Sequence, residues 1–239
     1  MKVTDYIYDK IDRLPKGYVF TYKDFIAEVT TKEAVIKGLN RMAAAGKIAK
    51  LSKGRFYKPE ETMFGSLQPG QYQVVKDLLE KEGKILGYLT GYSIFNQLGL
   101  TTQVSNIIQI GRKDTRPPMK RGKYKIRFIK QKNTINKENI PLLQLLDCFR
   151  FIKNIPDTTI SQSLKRLRNL IQDLPVQDRE KMVRLALKYN PSVRALLGAT
   201  LEEIGDITLT GPLRSSLNPI TTYKFYLPLN VLPKSKNWN

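Results

Sequence analysis

The chain has 239 residues, with 41 Lys and Arg against 21 Asp and Glu, one Cys, no His and a formal charge of +20. The missing histidine excludes Ser-His-Asp triads, Cys-His dyads and imidazole bases, and a single cysteine excludes an intrachain disulfide and the usual Cys/His zinc sites. The surplus of cations points to a polyanionic partner, and 41% hydrophobic residues suffice for a packed core.

Met1–Thr21 lacks the unbroken apolar core of a signal peptide, and no run approaches the roughly 18 apolar residues that span a bilayer. The chain is therefore expected in the cytoplasm. Val3, Ile7, Ile11 and Leu14 repeat at helical spacing, and Pro15-Lys16-Gly17 stops that helix. Thr21, with Asp24 three residues on, predicts the cap of a short second helix, Tyr22–Glu28. After a turn at Thr30-Thr31, either of which is a candidate cap, an amphipathic helix is expected over Lys32–Ala45, with Gly46 as its stop.

That third helix puts Val35, Ile36, Leu39, Met42 and Ala43 on one face and Glu33, Lys37, Asn40 and Arg41 on the other. An apolar stripe backed by such groups suits a recognition helix, because Asn pairs bidentately with adenine, Arg with guanine, and Lys reaches guanine or phosphate. A hairpin follows, with strands at Ile48–Leu51 and Arg55–Tyr57 around Ser52-Lys53-Gly54, where Gly54 supplies a positive φ. Lys50, Lys53, Arg55 and Lys58 crowd this wing, with Phe56 expected to turn into the core. The candidate DNA contacts are Thr31, Lys32, Lys37, Asn40, Arg41, Lys50, Lys53, Arg55 and Lys58.

Residues 61–70, with Gly65, Pro69 and Gly70, read as a linker. Helices are expected over Tyr72–Lys81 and Tyr92–Leu98, and a strand over Val104–Ile110. Lys123–Ile129 alternates as a half-buried strand, with Tyr124, Ile126 and Phe128 inward and Lys123, Lys125 and Arg127 outward. From Arg112 to Lys137 there are eleven basic residues against one acid, Asp114. Arg112, Lys113, Arg116, Lys120, Arg121, Lys123, Lys125 and Arg127 are the candidates for a further basic surface, with Arg116-Pro117-Pro118 in an exposed loop.

Four helical segments follow, Leu142–Ile152, Ile160–Leu174, Asp178–Tyr189 and Val193–Leu201. Thr158 or Thr159 is the expected cap of the second and Ser192 of the fourth. Cys148 reads as a core thiol, and Tyr223–Leu227 as a last strand. The expected fold class is α+β. A winged helix-turn-helix at residues 1–60 is joined by the 61–70 linker to a larger mixed domain, 71–239, with strands over about 104–130 and helices over about 140–205.

Three stretches carry a family likeness: Lys53-Gly54-Arg55-Phe56-Tyr57-Lys58-Pro59, Gly87-Tyr88-Leu89-Thr90-Gly91-Tyr92 running on through Asn96–Gln103, and Leu217-Asn218-Pro219. Together with the N-terminal elements they resemble the AbiEi-type antitoxins of bacterial abortive-infection (type IV toxin-antitoxin) systems. The resemblance implies an autorepressor that binds inverted repeats of double-stranded DNA in its own promoter. It further implies antagonism, without a stable complex, of a nucleotidyltransferase-like toxin from the same operon, with the antitoxin activity in the second domain. By family position Lys37, Asn40, Arg41, Lys53 and Arg55 are the DNA contacts. The competing class is an RNA- or tRNA-binding module that reads folded RNA by shape. A magnesium nuclease built on Asp and Glu is a third class, and a structural adaptor, which the charge disfavours, a fourth. No catalytic residue, cofactor or metal is assigned.

Overall fold

The computed structural model describes residues 3–28, 31–223, 225 and 231–238. The fold is α+β. Helix α1 (Val3–Asp12) buries Ile7 and Ile11. Strand β1 (Val19–Thr21) leads into a 3-10 helix, Tyr22–Glu28, tighter than the expected α-helix. The Thr21 backbone N–H and hydroxyl both donate to Asp24 Oδ2, at 2.7 and 3.0 Å, and the Lys23 N–H donates back to Thr21 Oγ1. Helix α2 (Lys32–Ala44) follows. Thr31 stands at its N-cap position without a side-chain cap bond, and Thr30 lies outside the described residues.

Strands β2 (Ala49–Ser52) and β3 (Arg55–Tyr57) form the hairpin, with Gly54 at φ +71° in its turn. Their antiparallel sheet has the order β1–β3–β2, with Phe20 opposite Phe56 and Lys50 opposite Phe56 on the other side. Phe56 points inward and stacks on Phe20, which meets Phe25 edge-on at 5.6 Å. Around these rings Ile7, Val35, Leu39 and Ile48 close one apolar core.

The stretch read as a linker is ordered. Strands β4 (Glu60–Thr62) and β5 (Gly65–Leu67) pair as a second hairpin, and Met63 and Phe64 at its tip are 96% and 97% exposed. Helix α3 (Gln71–Leu79) comes next. The chain resolves into two compact units, 1–78 with 119–125, and 79–118 with 126–239. The expected break at 61–70 is thus corrected, because α3 buries Val74, Val75 and Leu78 and the first unit continues through it.

The second unit begins with a small hairpin, β6 (Glu80–Lys81) and β7 (Lys84–Ile85), then β8 (Gly87–Thr90) and a 3-10 turn at Gly91–Ser93 where a full helix was expected. Strand β9 (Ile107–Arg112) starts three residues later than read, leaving Val104 exposed. It pairs antiparallel with β8, Gly87 opposite Arg112 and Thr90 opposite Gln109; β10 (Met119–Arg121) is counted with the first unit, and β11 (Tyr124–Lys130) begins there and ends in the second. The helical half consists of α4 (Ile140–Arg150), α5 (Ile160–Gln172), α6 (Val176–Ala186), α7 (Pro191–Glu203) and the short α8 (Gly211–Ser215).

Thr159 caps α5 in a reciprocal box with Gln162. Asn190, not Ser192, caps α7, because Pro191 occupies its first turn and the Asn190 side chain is the one that accepts from the Val193 N–H. Leu146, Leu167, Ile171 and Leu197 centre the helical core, which also holds Cys148 and Trp238. The expected strand at Tyr223–Leu227 falls largely outside the described residues. Among the described residues no helix is long and apolar enough to cross a membrane.

Candidate nucleic-acid interface

Helix α2 divides cleanly. Val35, Gly38, Leu39 and Met42 are buried, and Lys37, Asn40 and Arg41 are exposed on the opposite side. The division follows from 3.6-residue periodicity, since apolar positions at 35, 39 and 42 turn 37, 40 and 41 to the exposed side. Lys53 is exposed at the hairpin turn and Lys50 on β2. Asn40 and Lys50 line one groove of about 520 Å³ that also takes in Ala43, Gly46 and Pro59, with the carboxylate of Glu61 among its walls. The structure thereby brings Asn40 of the helix and Lys50 of the hairpin together on one groove.

Other candidates are committed elsewhere. The Lys32 ammonium sits 5.2 Å above the Tyr22 ring, a cation–π contact at the start of α2. Arg55 was expected to face DNA, but its guanidinium lies 2.8 Å from Asp77 of α3. Being on the central strand of its sheet, Arg55 has a protein partner within reach that a wing tip would not. Lys58, also expected on DNA, donates to the Asp12 carbonyl and lies 3.5 Å from its carboxylate, a cation at the C-terminal end of α1.

The basic block divides in the same way. Lys113, Arg116, Lys120, Lys123, Lys125 and Arg127 are exposed, with Lys123 folded over the Tyr124 ring. Two residues expected on that surface are buried instead. Arg121 is 6% exposed and donates to the Val74 carbonyl and, through both terminal nitrogens, to Asp77. Arg112 is 5% exposed, and its stem packs where a side chain on Gly87, its cross-strand partner, would stand. Burial, then the charge of Arg116, pushes the Arg112 guanidinium below its usual pKa.

Asp77 therefore holds two arginines. Burial alone would raise its pKa, but the hydrogen bonds and charges of Arg121 and Arg55 outweigh that and keep the carboxyl below the ordinary carboxylate range. Sequence reasoning passed it over, although an acid on a helix in so basic a chain is a signal for a buried cation elsewhere.

A second acid was missed, in the second unit. Asp147 is fully buried on α4, where Oδ2 accepts from the hydroxyls of Tyr88 and Thr90 at 2.7 Å and Oδ1 from Tyr189 at 3.0 Å. Gln131 bridges both phenols from above with its amide nitrogen, and its oxygen accepts from Asn133. Burial raises the Asp147 pKa against these three donors and the nearby charge of Arg150, and raises both phenols as well. The signal was legible: an acid on the same stripe as Leu143 and Leu146 has no solvent to face. Cys148 is buried and its thiol pushed up, consistent with packing rather than reactivity. Among the described residues no three His, Cys, Asp or Glu side chains form a group suited to a metal ion.

Comparison with known proteins adds a family. A family of unknown function, DUF6088, matches residues 6–175. The chain belongs to DUF6088. This DUF6088 chain also shares its fold with the solved RV2827C protein of Mycobacterium tuberculosis, at a TM-score of 0.56 and 16% identity, over 92% of this chain and 83% of that one. No curated protein sequence matches it.

Proposed function

We propose that the first unit is a winged helix-turn-helix and that the protein is a DNA-binding transcriptional repressor of its own promoter. One observation carries the reading: Lys37, Asn40 and Arg41 stand in solvent on the face of α2 opposite its buried stripe, beside the open cations of the hairpin. In this reading α2 enters the major groove, Asn40 and Arg41 read base edges, and Lys37, Lys50 and Lys53 hold phosphates. Arg55, Arg121 and Asp77 set the frame and touch no DNA. The likeness to AbiEi-type antitoxins extends the proposal to inverted-repeat operators, to a cytoplasmic protein without catalytic activity, and to antagonism of a nucleotidyltransferase-like toxin without a stable complex.

Gel shifts on the DNA upstream of the gene, with scrambled duplex as competitor, test the repressor role. Asn40→Ala and Arg41→Ala are expected to relax sequence preference by about 1–3 kcal/mol at the positions they read. Lys53→Ala is expected to weaken operator and scrambled DNA alike. Equal wild-type affinity for both duplexes would remove the repressor claim. Co-expression with an adjacent nucleotidyltransferase-like gene tests the antitoxin role, and growth arrest that the chain does not relieve would end it.

The exposed cations along β11, Lys123, Lys125 and Arg127, favour a second reading as an RNA- or tRNA-binding module. Tighter binding of tRNA than of promoter duplex, lost on substituting these three but not Asn40, would select it.

A further inference from the structure

The second unit contains a cleft of about 660 Å³ walled by the end of β11, the end of α4 and the segment joining α6 to α7. Five cations line it, Lys130, Lys132, Arg150, Lys188 and Arg194, and no acidic side chain does. None of the five forms an ion pair with a carboxylate among the described residues. Arg150 and Arg194 are steadied by backbone carbonyls, those of Lys130 and Ser216, which fixes their position without cancelling their charge. Like charges gathered around a concavity repel one another unless an anion sits among them.

The floor is rigid. Gln131 and Tyr189 both line the cleft, and both are tied into the hydrogen bonds around Asp147. That carboxylate has its oxygens held by three hydroxyls and acts on Arg150 through its charge alone, without forming an ion pair at the cleft surface. One rim is apolar, formed by the half-exposed Leu187 and by Pro191 in the first turn of the 13-residue helix α7. The partial positive charge of that helix end adds to the same field.

We propose that this cleft binds a nucleoside polyphosphate, with the phosphates among the five cations and the planar base against Leu187 and Pro191. Its volume is that of a small-molecule site, and its walls combine charge with an apolar edge, as the two halves of a nucleotide require. A duplex presents its phosphates on a convex surface and does not enter such a recess. The site is separate from the α2 face, and the proposal stands or falls independently of operator binding.

The test is titration of the full chain with a fluorescent ATP analogue, with displacement by ATP, inorganic triphosphate, adenosine and a 5′-phosphorylated single-stranded oligonucleotide. Saturable binding displaced by ATP and triphosphate but not by adenosine is expected. Displacement by the oligonucleotide as readily as by ATP would identify a strand terminus as the natural source of the same phosphates. The triple substitution Lys130→Gln, Lys132→Gln, Lys188→Gln changes only exposed side chains and is expected to cut affinity at least tenfold. Lys132→Gln alone, with unchanged circular dichroism, is expected to cut it severalfold. Non-saturable binding, displacement by adenosine as good as by ATP, or undiminished affinity in both variants would overturn the proposal.

Discussion

Asp77 shows how one carboxylate decides what its neighbours can do. Its bond to the Arg121 side chain, 7% exposed against 48% for its own, leaves that guanidinium unpaired in the protein interior if the acid is removed. Removing one partner of a fully buried pair costs about 3–5 kcal/mol, and the half-exposed carboxylate lowers the expectation for Asp77→Ala to about 2 kcal/mol. The pH dependence has a definite sign. A carboxyl held below its ordinary pKa stabilises the fold fully above that ordinary value, and the stabilisation disappears as pH falls through the lowered one. Urea unfolding should therefore separate wild type from Asp77→Ala at pH 7 and bring them together at acid pH, and a constant gap would refute the assignment. The same residue explains where reading the sequence stopped. Lys37, Asn40, Arg41 and Lys53 were legible as exposed because local periodicity and turn chemistry place them. Arg55, Arg112 and Arg121 were counted with them, although a side chain 22 or 44 residues away occupies two of the three. Charge is visible in a sequence, but the partner that takes it out of circulation is not.

Among the elements, the long helices were legible to within a few residues, whereas the helix expected over Tyr92–Leu98 is a 3-10 turn and the strand edges were not legible. Helices α5 and α7 carry side-chain caps, and prolines stand at the starts of α4, α6 and α7; those signals act within one turn. The β4–β5 hairpin looked like a linker because Gly65 and Pro69 break any run long enough to show alternation, and its pairing is between three-residue strands. Packing between elements was likewise out of reach, as α7 illustrates. A Cβ on Gly198 would lie 2.2 Å from the Trp238 indole, so the closing 3-10 turn, Pro233–Trp238, sits directly on the helix backbone. The Arg214 guanidinium lies over the same ring, 4.5 Å from its centroid. Gly198→Ala should push the indole out, destabilising the fold by about 1–3 kcal/mol through overpacking despite the better helix propensity of alanine. Trp238 is the only tryptophan, so its emission reports the event directly. A red shift in the native state is expected, and unchanged emission would mean that the ring does not rest on Gly198.

At the scale of the whole molecule, a charge of +20 attracts any polyanion, and the question is whether binding to DNA is localised or diffuse. Salt dependence separates the two. Each cation that holds a phosphate contributes about 0.9 to the slope of log affinity against log salt on duplex DNA. If α2 and its hairpin form the contact, replacing Lys37 and Lys53 together by alanine should flatten the slope by about 1.8. Lys165, exposed on α5, lowers the net charge by as much as either of those lysines alone when replaced, and should leave the slope unchanged. Arg55→Gln should also leave it unchanged, because that guanidinium already belongs to Asp77. Diffuse attraction predicts the opposite pattern, with each substitution moving affinity by a similar small amount whatever its position, since a summed field depends on total charge. Filter binding of wild type and these variants to the promoter fragment over a fourfold range of salt resolves the two patterns. A slope change that follows the number of charges removed rather than their address would place the DNA away from α2, and with it the recognition surface.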